Sequence, residues 1–169
     1  CGYLKGDYAR DKDAVEASMM ILEMTAYYKA HGMTLADALA KLYRTYGLYM
    51  EEMIDIYMEG LDGIERRRTV MAHLTECPPK AFGGVRVVKI GDYKRATITD
   101  LATGKTEPTG MPSSEVLYYT LENDDKIVVR PSGTEPKIKI YILAHGESEA
   151  SLKAKIASYA ADAKAEMGV

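Results

Sequence analysis

Five short segments in the second half of the chain alternate apolar with polar residues, and turn-forming residues separate them. A period of two is the spacing of a β-strand with one buried face. Turn-forming residues stand at 102–105 (Ala-Thr-Gly-Lys) and at 123–125 (Asn-Asp-Asp). Because tight turns join antiparallel neighbours, this half of the chain predicts an antiparallel sheet. The predicted strands cover residues 85–90, 96–101, 116–121, 127–130 and 138–143.

Two segments with helical spacing flank these strands. The first follows Gly60 and ends before Pro78-Pro79, because proline cannot continue a helix. Both carry an apolar stripe that needs a surface to cover. Residues 59–169 therefore predict an α+β domain in which two helices cover one face of an antiparallel sheet. The stripes consist of Ile64, Met71 and Leu74 in the first helix and of Leu152, Ile156, Tyr159, Ala163 and Met167 in the second.

The first part of the chain predicts two helices and a connecting strand. Asp13 is a candidate N-cap with Glu16 as its reciprocal partner, and His31-Gly32 ends that helix. The second helix starts at Thr34 and ends at Gly47, and residues 48–58 are extended. The apolar stripes of the helices lack a sheet to cover, so residues 1–58 predict the helical tail of a preceding α/β domain. Uncovered stripes favour self-association through residues 13–46.

Composition argues against several classes of partner. The formal net charge is −3, which gives no general attraction to nucleic acid or to a membrane surface. No apolar run is long enough to span a bilayer, and no secretory signal opens the chain. Cys1 and Cys77 have neither metal-site spacing nor a secretory context. A reduced, cytoplasmic location is the expectation.

The connection between the last two predicted strands, Arg130-Pro131-Ser132-Gly133-Thr134-Glu135-Pro136-Lys137, combines groups that bind phosphate. Gly133 lets the main chain turn where a Cβ would clash and brings N–H groups close to an anion. Ser132 and Thr134 supply hydroxyls, and Arg130 supplies a two-pronged, always charged donor. An ordinary hairpin loop has a similar composition, so these residues alone leave both interpretations open.

The segment 130–141, RPSGTEPKIKIY, resembles the phosphate-binding loop in the last domain of the α-D-phosphohexomutases, the phosphoglucomutase/phosphomannomutase family. Residues 1–4 resemble the tail of that family's sugar-binding loop, and residues 6–15 its Arg-Asp-Lys-Asp stretch. Gly60-Leu61-Asp62-Gly63, Pro78-Pro79 and Gly91-Asp92-Tyr93 are similar to bacterial phosphoglucomutases in particular. The family's serine loop and Asp-Gly-Asp metal loop are absent, so the chain resembles the C-terminal end of a longer enzyme.

This resemblance implies a function for the full-length parent. The parent would interconvert hexose 1-phosphate and hexose 6-phosphate through a phosphoserine and a bisphosphorylated sugar, with Mg²⁺ and glucose 1,6-bisphosphate as cofactors. The last domain, TATA-box-binding-protein-like in shape, would hold the phosphate that is not transferred. This chain would supply no catalytic residue and no metal ligand, and alone it would be inactive. A stand-alone phospholigand-binding module is the alternative, and the sugar (glucose, mannose or glucosamine phosphate) stays open.

The resemblance also implies which residues form the site. The non-transferred phosphate would contact Arg130, Ser132, Gly133, Thr134, Lys139 and Lys137. For the two lysines the alternative is a half-exposed strand with solvated ammonium groups. Arg10, Lys12 and Gly2 would line the cleft for the sugar or its phosphate, unless they form only a polar linker before the first helix.

Two further groups near these positions are interpreted as structural. Glu135 would repel a phosphate, so its side chain should point away and orient Arg130 or cap the turn. Arg66, Arg67 and Arg68 point in three directions around a helix, which favours a solvated face.

Overall fold

A computed structural model describes residues 4–60 and 62–168. The chain divides into two compact units, residues 1–47 and 48–169. The described part of the first unit holds helices α1 (Ala14–Ala30) and α2 (Leu35–Tyr46). Among the described helices, none combines the length and the apolar run needed to cross a bilayer.

The ends of both helices in the first unit confirm the predicted limits. The Asp13 carboxylate accepts from the N–H groups of Val15 and Glu16, and α1 ends at a cap formed by His31. Thr34 and Asp37 form a reciprocal capping box at the start of α2. The reciprocal role predicted for Glu16 is wrong, because its carboxylate accepts from the main-chain N–H groups of Lys5 and Gly6 at 2.9 and 3.1 Å.

Helix α1 leaves large apolar side chains exposed, as its stripe predicted. Val15, Met19 and Leu22 are 72, 66 and 69% exposed, and only the small Ala17 is buried among its described residues. Self-association through residues 13–46 stays a prediction.

The second unit is built on one antiparallel sheet. Within the described residues its strands are ordered β1-β8-β7-β6-β3-β4-β5, and β2 pairs with β3 outside this path. The elements are β1 (Leu48–Tyr57), α3 (Gly63–Glu76), β2 (Ala81–Phe82), β3 (Val85–Asp92), β4 (Thr97–Asp100), β5 (Thr106–Pro108), β6 (Leu117–Leu121), β7 (Lys126–Pro131), β8 (Lys137–Gly146) and α4 (Glu149–Ala165).

Strand β1 belongs to this sheet. It pairs with β8 along its whole length, from Leu48 opposite Gly146 to Tyr57 opposite Lys137. The boundary between the two compact units along the chain lies between residues 47 and 48, whereas the sequence analysis placed it after residue 58.

Helices α3 and α4 share one hydrophobic core with the alternating residues of the sheet. Ile138, Ile140 and Ile142 of β8 are fully buried in this core, together with Leu74 of α3 and Ile156 of α4. The buried Tyr119 hydroxyl donates to the Leu74 carbonyl at 3.2 Å and ties the sheet to α3. This architecture confirms the predicted α+β class, an antiparallel sheet packed against two helices.

A buried carboxylate fixes the hairpin of β6 and β7 to α4. Asp125 is 1% exposed and accepts hydrogen bonds from the Lys155 ammonium at 2.9 Å and the Tyr159 hydroxyl at 2.8 Å. It also accepts from the main-chain N–H of His145 at 3.0 Å. Burial alone would raise the pKa of Asp125, but these donors outweigh it and lower the pKa below its ordinary value.

Candidate anion-binding site

The loop between β7 and β8 is closed by its own hydrogen bonds. The Ser132 N–H donates to the Lys137 carbonyl at 2.9 Å, and the Lys137 N–H donates to the Glu135 carbonyl at 2.8 Å. The Ser132 hydroxyl oxygen accepts from the Glu135 N–H at 3.3 Å. The Met58 N–H donates to the Pro136 carbonyl at 2.8 Å. These bonds hold the loop in a defined turn without any ligand.

Two consecutive main-chain donors at the tip of this turn are free. Among the described residues, the N–H groups of Gly133 and Thr134 donate no hydrogen bond to a protein acceptor. Both residues are exposed. Successive main-chain N–H groups in a turn are donors of the kind that bind anions.

The conformational reason given for Gly133 is wrong. Its φ lies outside the left-handed region, and a Cβ built on it meets no heavy atom within 4 Å. The turn therefore does not require glycine. What the missing side chain provides is open space beside the free N–H groups.

A cavity of about 440 Å³ borders the loop. It is lined by one face of α3 and by four residues of the loop, Arg130, Pro131, Ser132 and Gly133. Residues 114–116, before β6, complete the wall. Thr134, Lys137 and Lys139 are not among its lining residues. The residues that α3 contributes are Ile64, Arg67, Arg68 and Met71.

Arg130 is available to a ligand. Its side chain is exposed, and its guanidinium carbon lies 5.9 Å from the ring centroid of Tyr141. In the part of the chain that the structure describes, it forms no ion pair with a carboxylate. Stacking on an aromatic ring orients the guanidinium and leaves its N–H groups free to donate.

Lys137 differs from the solvated lysine of the sequence analysis. It is buried, and its ammonium contacts Asp55 at 2.8 Å, Glu135 at 2.9 Å and the Tyr57 hydroxyl at 3.3 Å. The hydrogen bond with Asp55, followed by that with Glu135, raises the pKa of Lys137 well above its ordinary value. Glu135 therefore orients Lys137, and the suggestion that it orients Arg130 is wrong. Lys137 joins the loop to strand β1.

Lys139 lies directly between two charged neighbours in the sheet. The register places it opposite Arg130 on β7 and opposite Asp55 on β1. Its ammonium is 3.9 Å from the Asp55 carboxylate, and its side chain is 18% exposed. Directly opposite residues share a face of the sheet, so Arg130 and Lys139 form a cationic pair on the face away from the core.

Comparison with known proteins identifies the domain that carries this loop. Residues 114–162, from the segment before β6 into α4, match the family model described as the phosphoglucomutase/phosphomannomutase C-terminal domain. The chain contains a C-terminal domain of the phosphoglucomutase/phosphomannomutase family.

Individual relatives agree with this assignment. The chain is 35% identical to the phosphoglucomutase of Staphylococcus aureus strain MRSA252 over 141 residues, which cover 83% of this chain and 25% of that protein. The enzyme of strain USA300 is 33% identical over the same length. The chain thus spans about a quarter of the length of these curated relatives.

A solved structure shares the fold. The crystal structure of the exocytosis-sensitive phosphoprotein pp63/parafusin, a phosphoglucomutase from Paramecium in its open form, aligns with a TM-score of 0.55. The alignment covers 95% of this chain and 27% of that one, at 14% identity.

Arg67 is a residue whose contact with the loop the sequence analysis missed. Its Nη1 donates to the Glu135 carbonyl at 3.1 Å, so it contacts the loop directly. A usable signal was present, because Arg67 follows Ile64 by three residues and precedes Met71 by four. Residues at that spacing share one helix face. The solvated-face interpretation is wrong for Arg67.

Two of the residues predicted for the sugar cleft, Arg10 and Lys12, belong to the first compact unit. Both are exposed, and the Lys12 N–H donates to the Asp11 carboxylate at 2.8 Å. Gly2 lies outside the described residues. Their role in a phosphohexomutase cleft stays a prediction.

Within residues 4–60 and 62–168, no group of three or more histidine, cysteine, aspartate or glutamate side chains is placed to hold a metal.

Proposed function

We propose that the loop between β7 and β8 binds the phosphate group of a hexose phosphate that is not being transferred. The observation that carries the proposal is the pair of free N–H groups at Gly133 and Thr134 beside an unpaired Arg130. A phosphate oxygen accepts strongly from such donors, and charge-assisted bonds are about twice as strong as neutral ones.

The same site explains how one loop can serve two substrates. A main-chain cradle and a guanidinium recognise the shape and charge of a phosphate, whichever carbon carries it. In a hexose phosphate mutase, the sugar must present first one end and then the other. A clamp with few contacts to the sugar permits both orientations and fixes the reacting hydroxyl for transfer.

We further propose that the parent enzyme interconverts hexose 1-phosphate and hexose 6-phosphate through a phosphoserine and glucose 1,6-bisphosphate. Supporting this are the match to the family's C-terminal domain and the similarity to phosphoglucomutases. In this proposal the transferable phosphate and Mg²⁺ are held by other domains of the parent. This domain's own contribution is to bind and orient.

A titration with glucose 6-phosphate followed by amide NMR tests the binding proposal. Shifts should concentrate at residues 130–139, because the donors lie there. Arg130→Ala should weaken binding by roughly 10- to 150-fold, the value of one charge-assisted contact.

Arg86→Ala is the matched control for that titration. Arg86 is an exposed cation paired with Glu122 at 3.2 Å, and it is absent from the wall of the 440 Å³ cavity. Its loss should leave affinity within about twofold. Equal losses for Arg130→Ala and Arg86→Ala would show that only general charge attraction was measured.

A further inference from the structure

We infer that Arg67 of α3 is a second guanidinium contact for the anion, in addition to Arg130, and that it makes the site selective for doubly charged groups. This inference rests on the proposed function and deepens it. It concerns a residue outside the segment that resembles the family's phosphate loop.

The placement of Arg67 is the first reason. The helix face formed by Ile64, Arg67, Arg68 and Met71 lines the same cavity as the segment Arg130–Gly133. Arg67 is already tied to the loop through the Glu135 carbonyl at 3.1 Å. An anion held by the free N–H groups of the loop would therefore lie close to Arg67 as well as to Arg130.

Unsatisfied donors are the second reason. A guanidinium has five N–H groups, and in the described part of the chain Arg67 uses only the one that reaches Glu135. Its Nε is buried and finds no acceptor there. Since Nε is shielded from solvent, an anion in the cavity would accept from the remaining N–H groups of Nη1 and Nη2.

The charges around Arg67 are the third reason. Arg68 has a carboxylate partner in Glu65 at 3.7 Å, whereas Arg67 has none among the described residues. The carboxylate in the cavity wall, Glu115, is paired with Lys94 at 3.1 Å. Arg67 and Arg130 are thus the two arginines of the wall whose charge is not neutralised by a carboxylate.

Two arginines that line one cavity, neither paired with a carboxylate among the described residues, suit a dianion better than a monoanion. Each guanidinium interacts with one unit of the ligand's charge at short range, and the partly enclosed cavity screens less than bulk water. Sulfate and a phosphate monoester above its second pKa, near 6, carry that double charge.

The test compares sulfate with methyl sulfate, which differ by one charge, in amide NMR titrations at constant pH. Wild-type protein should prefer sulfate. Arg67→Ala should weaken sulfate binding by roughly tenfold or more and methyl sulfate binding by much less, so that the preference falls. Glucose 6-phosphate at pH 8 should follow sulfate if the site accepts the ester as well as the free anion.

Arg66→Ala is the matched control on the same helix. Arg66 lines a different surface, together with Asp62 and Met167. Its substitution should leave the affinities for sulfate and methyl sulfate within about twofold of the wild-type values. Arg67→Lys keeps the charge and should retain part of the preference. It also serves as the second variant if Arg67→Ala folds poorly.

Each outcome decides between the proposals. An unchanged sulfate preference in Arg67→Ala, with binding lost in Arg130→Ala, would overturn the role of Arg67 and leave the loop's function standing. Equal weakening of sulfate and methyl sulfate would assign Arg67 to loop positioning only, which also overturns the inference. If the wild-type protein bound neither anion nor the ester, both proposals would fall together.

Discussion

Replacing Gly133 with alanine should separate binding from folding in this domain. A Cβ at that position meets no heavy atom within 4 Å, and the backbone does not adopt a positive φ. The folded state should therefore accept alanine without strain. Since alanine restricts the unfolded chain more than glycine does, the free energy of unfolding should stay unchanged or rise by about 0.4–1 kcal/mol.

Anion binding should suffer from the same substitution. The methyl group would stand beside the free N–H groups of Gly133 and Thr134, where the ligand's oxygens would sit. Loss of one charge-assisted contact costs about 1.5–3 kcal/mol, which corresponds to a 10- to 150-fold higher Kd. Urea unfolding and a sulfate titration on the same sample measure both effects.

Gly84→Ala provides the matched control for this experiment. A Cβ at Gly84 also meets no heavy atom within 4 Å, but its φ is +77°, which alanine adopts poorly. We expect a loss of about 1–2 kcal/mol in stability and no change in sulfate affinity. The reasoning about Gly133 would be refuted if Gly133→Ala bound sulfate normally, or if it lost as much stability as Gly84→Ala.

Substitutions of two other side chains should change the stability of the fold. Asp125→Asn should lower the free energy of unfolding in urea by about 3–5 kcal/mol, because Lys155 loses its buried partner. The control is Asp124→Asn, at an exposed neighbouring residue with a φ of +64°, and it should lower the free energy of unfolding only slightly. Folding lowers the pKa of Asp125, so the stability that its carboxylate provides is present above pH 4 and is lost as the pH falls through the folded-state pKa. The difference in free energy of unfolding between the wild type and Asp125→Asn should therefore shrink in acid. A difference that did not change with pH would contradict this reasoning. Lys137→Ala should lower the midpoint of thermal unfolding, because it removes the buried ion pairs with Asp55 and Glu135. Arg130→Ala should leave the midpoint unchanged. Equal midpoints for these two variants would show that the ion pairs of Lys137 contribute no stability.

Local signals predicted most of the fold. Caps and stops near each helix depend on a few adjacent residues, and the limits at Asp13, Thr34 and Gly47 are confirmed. The missed strands are β2 and β5, which are two and three residues long. Segments that short carry no periodicity, and they become strands only because β3 and β4 lie beside them.

The site was less predictable because its neighbours are distant in sequence. The loop could be located from its own residues, but the burial of Lys137 depends on Asp55 and Tyr57, 82 and 80 residues earlier. No local pattern reports such a pairing. Arg67 was accessible in principle, since its helix face could be assigned from Ile64 and Met71. Binding by the loop itself stays a prediction.

The pairing of β1 with β8 has a consequence for biosynthesis. Asp55 leaves the ribosome 82 residues before Lys137, which at 5–20 residues per second is roughly 4 to 16 s of translation. Throughout that interval the nascent strand has no partner for its main chain, and it cannot be buried until α4 has also emerged. Glu51, Glu52 and Asp55 put three negative charges on this strand. Charges at an unpaired edge discourage association between neighbouring nascent chains on one message.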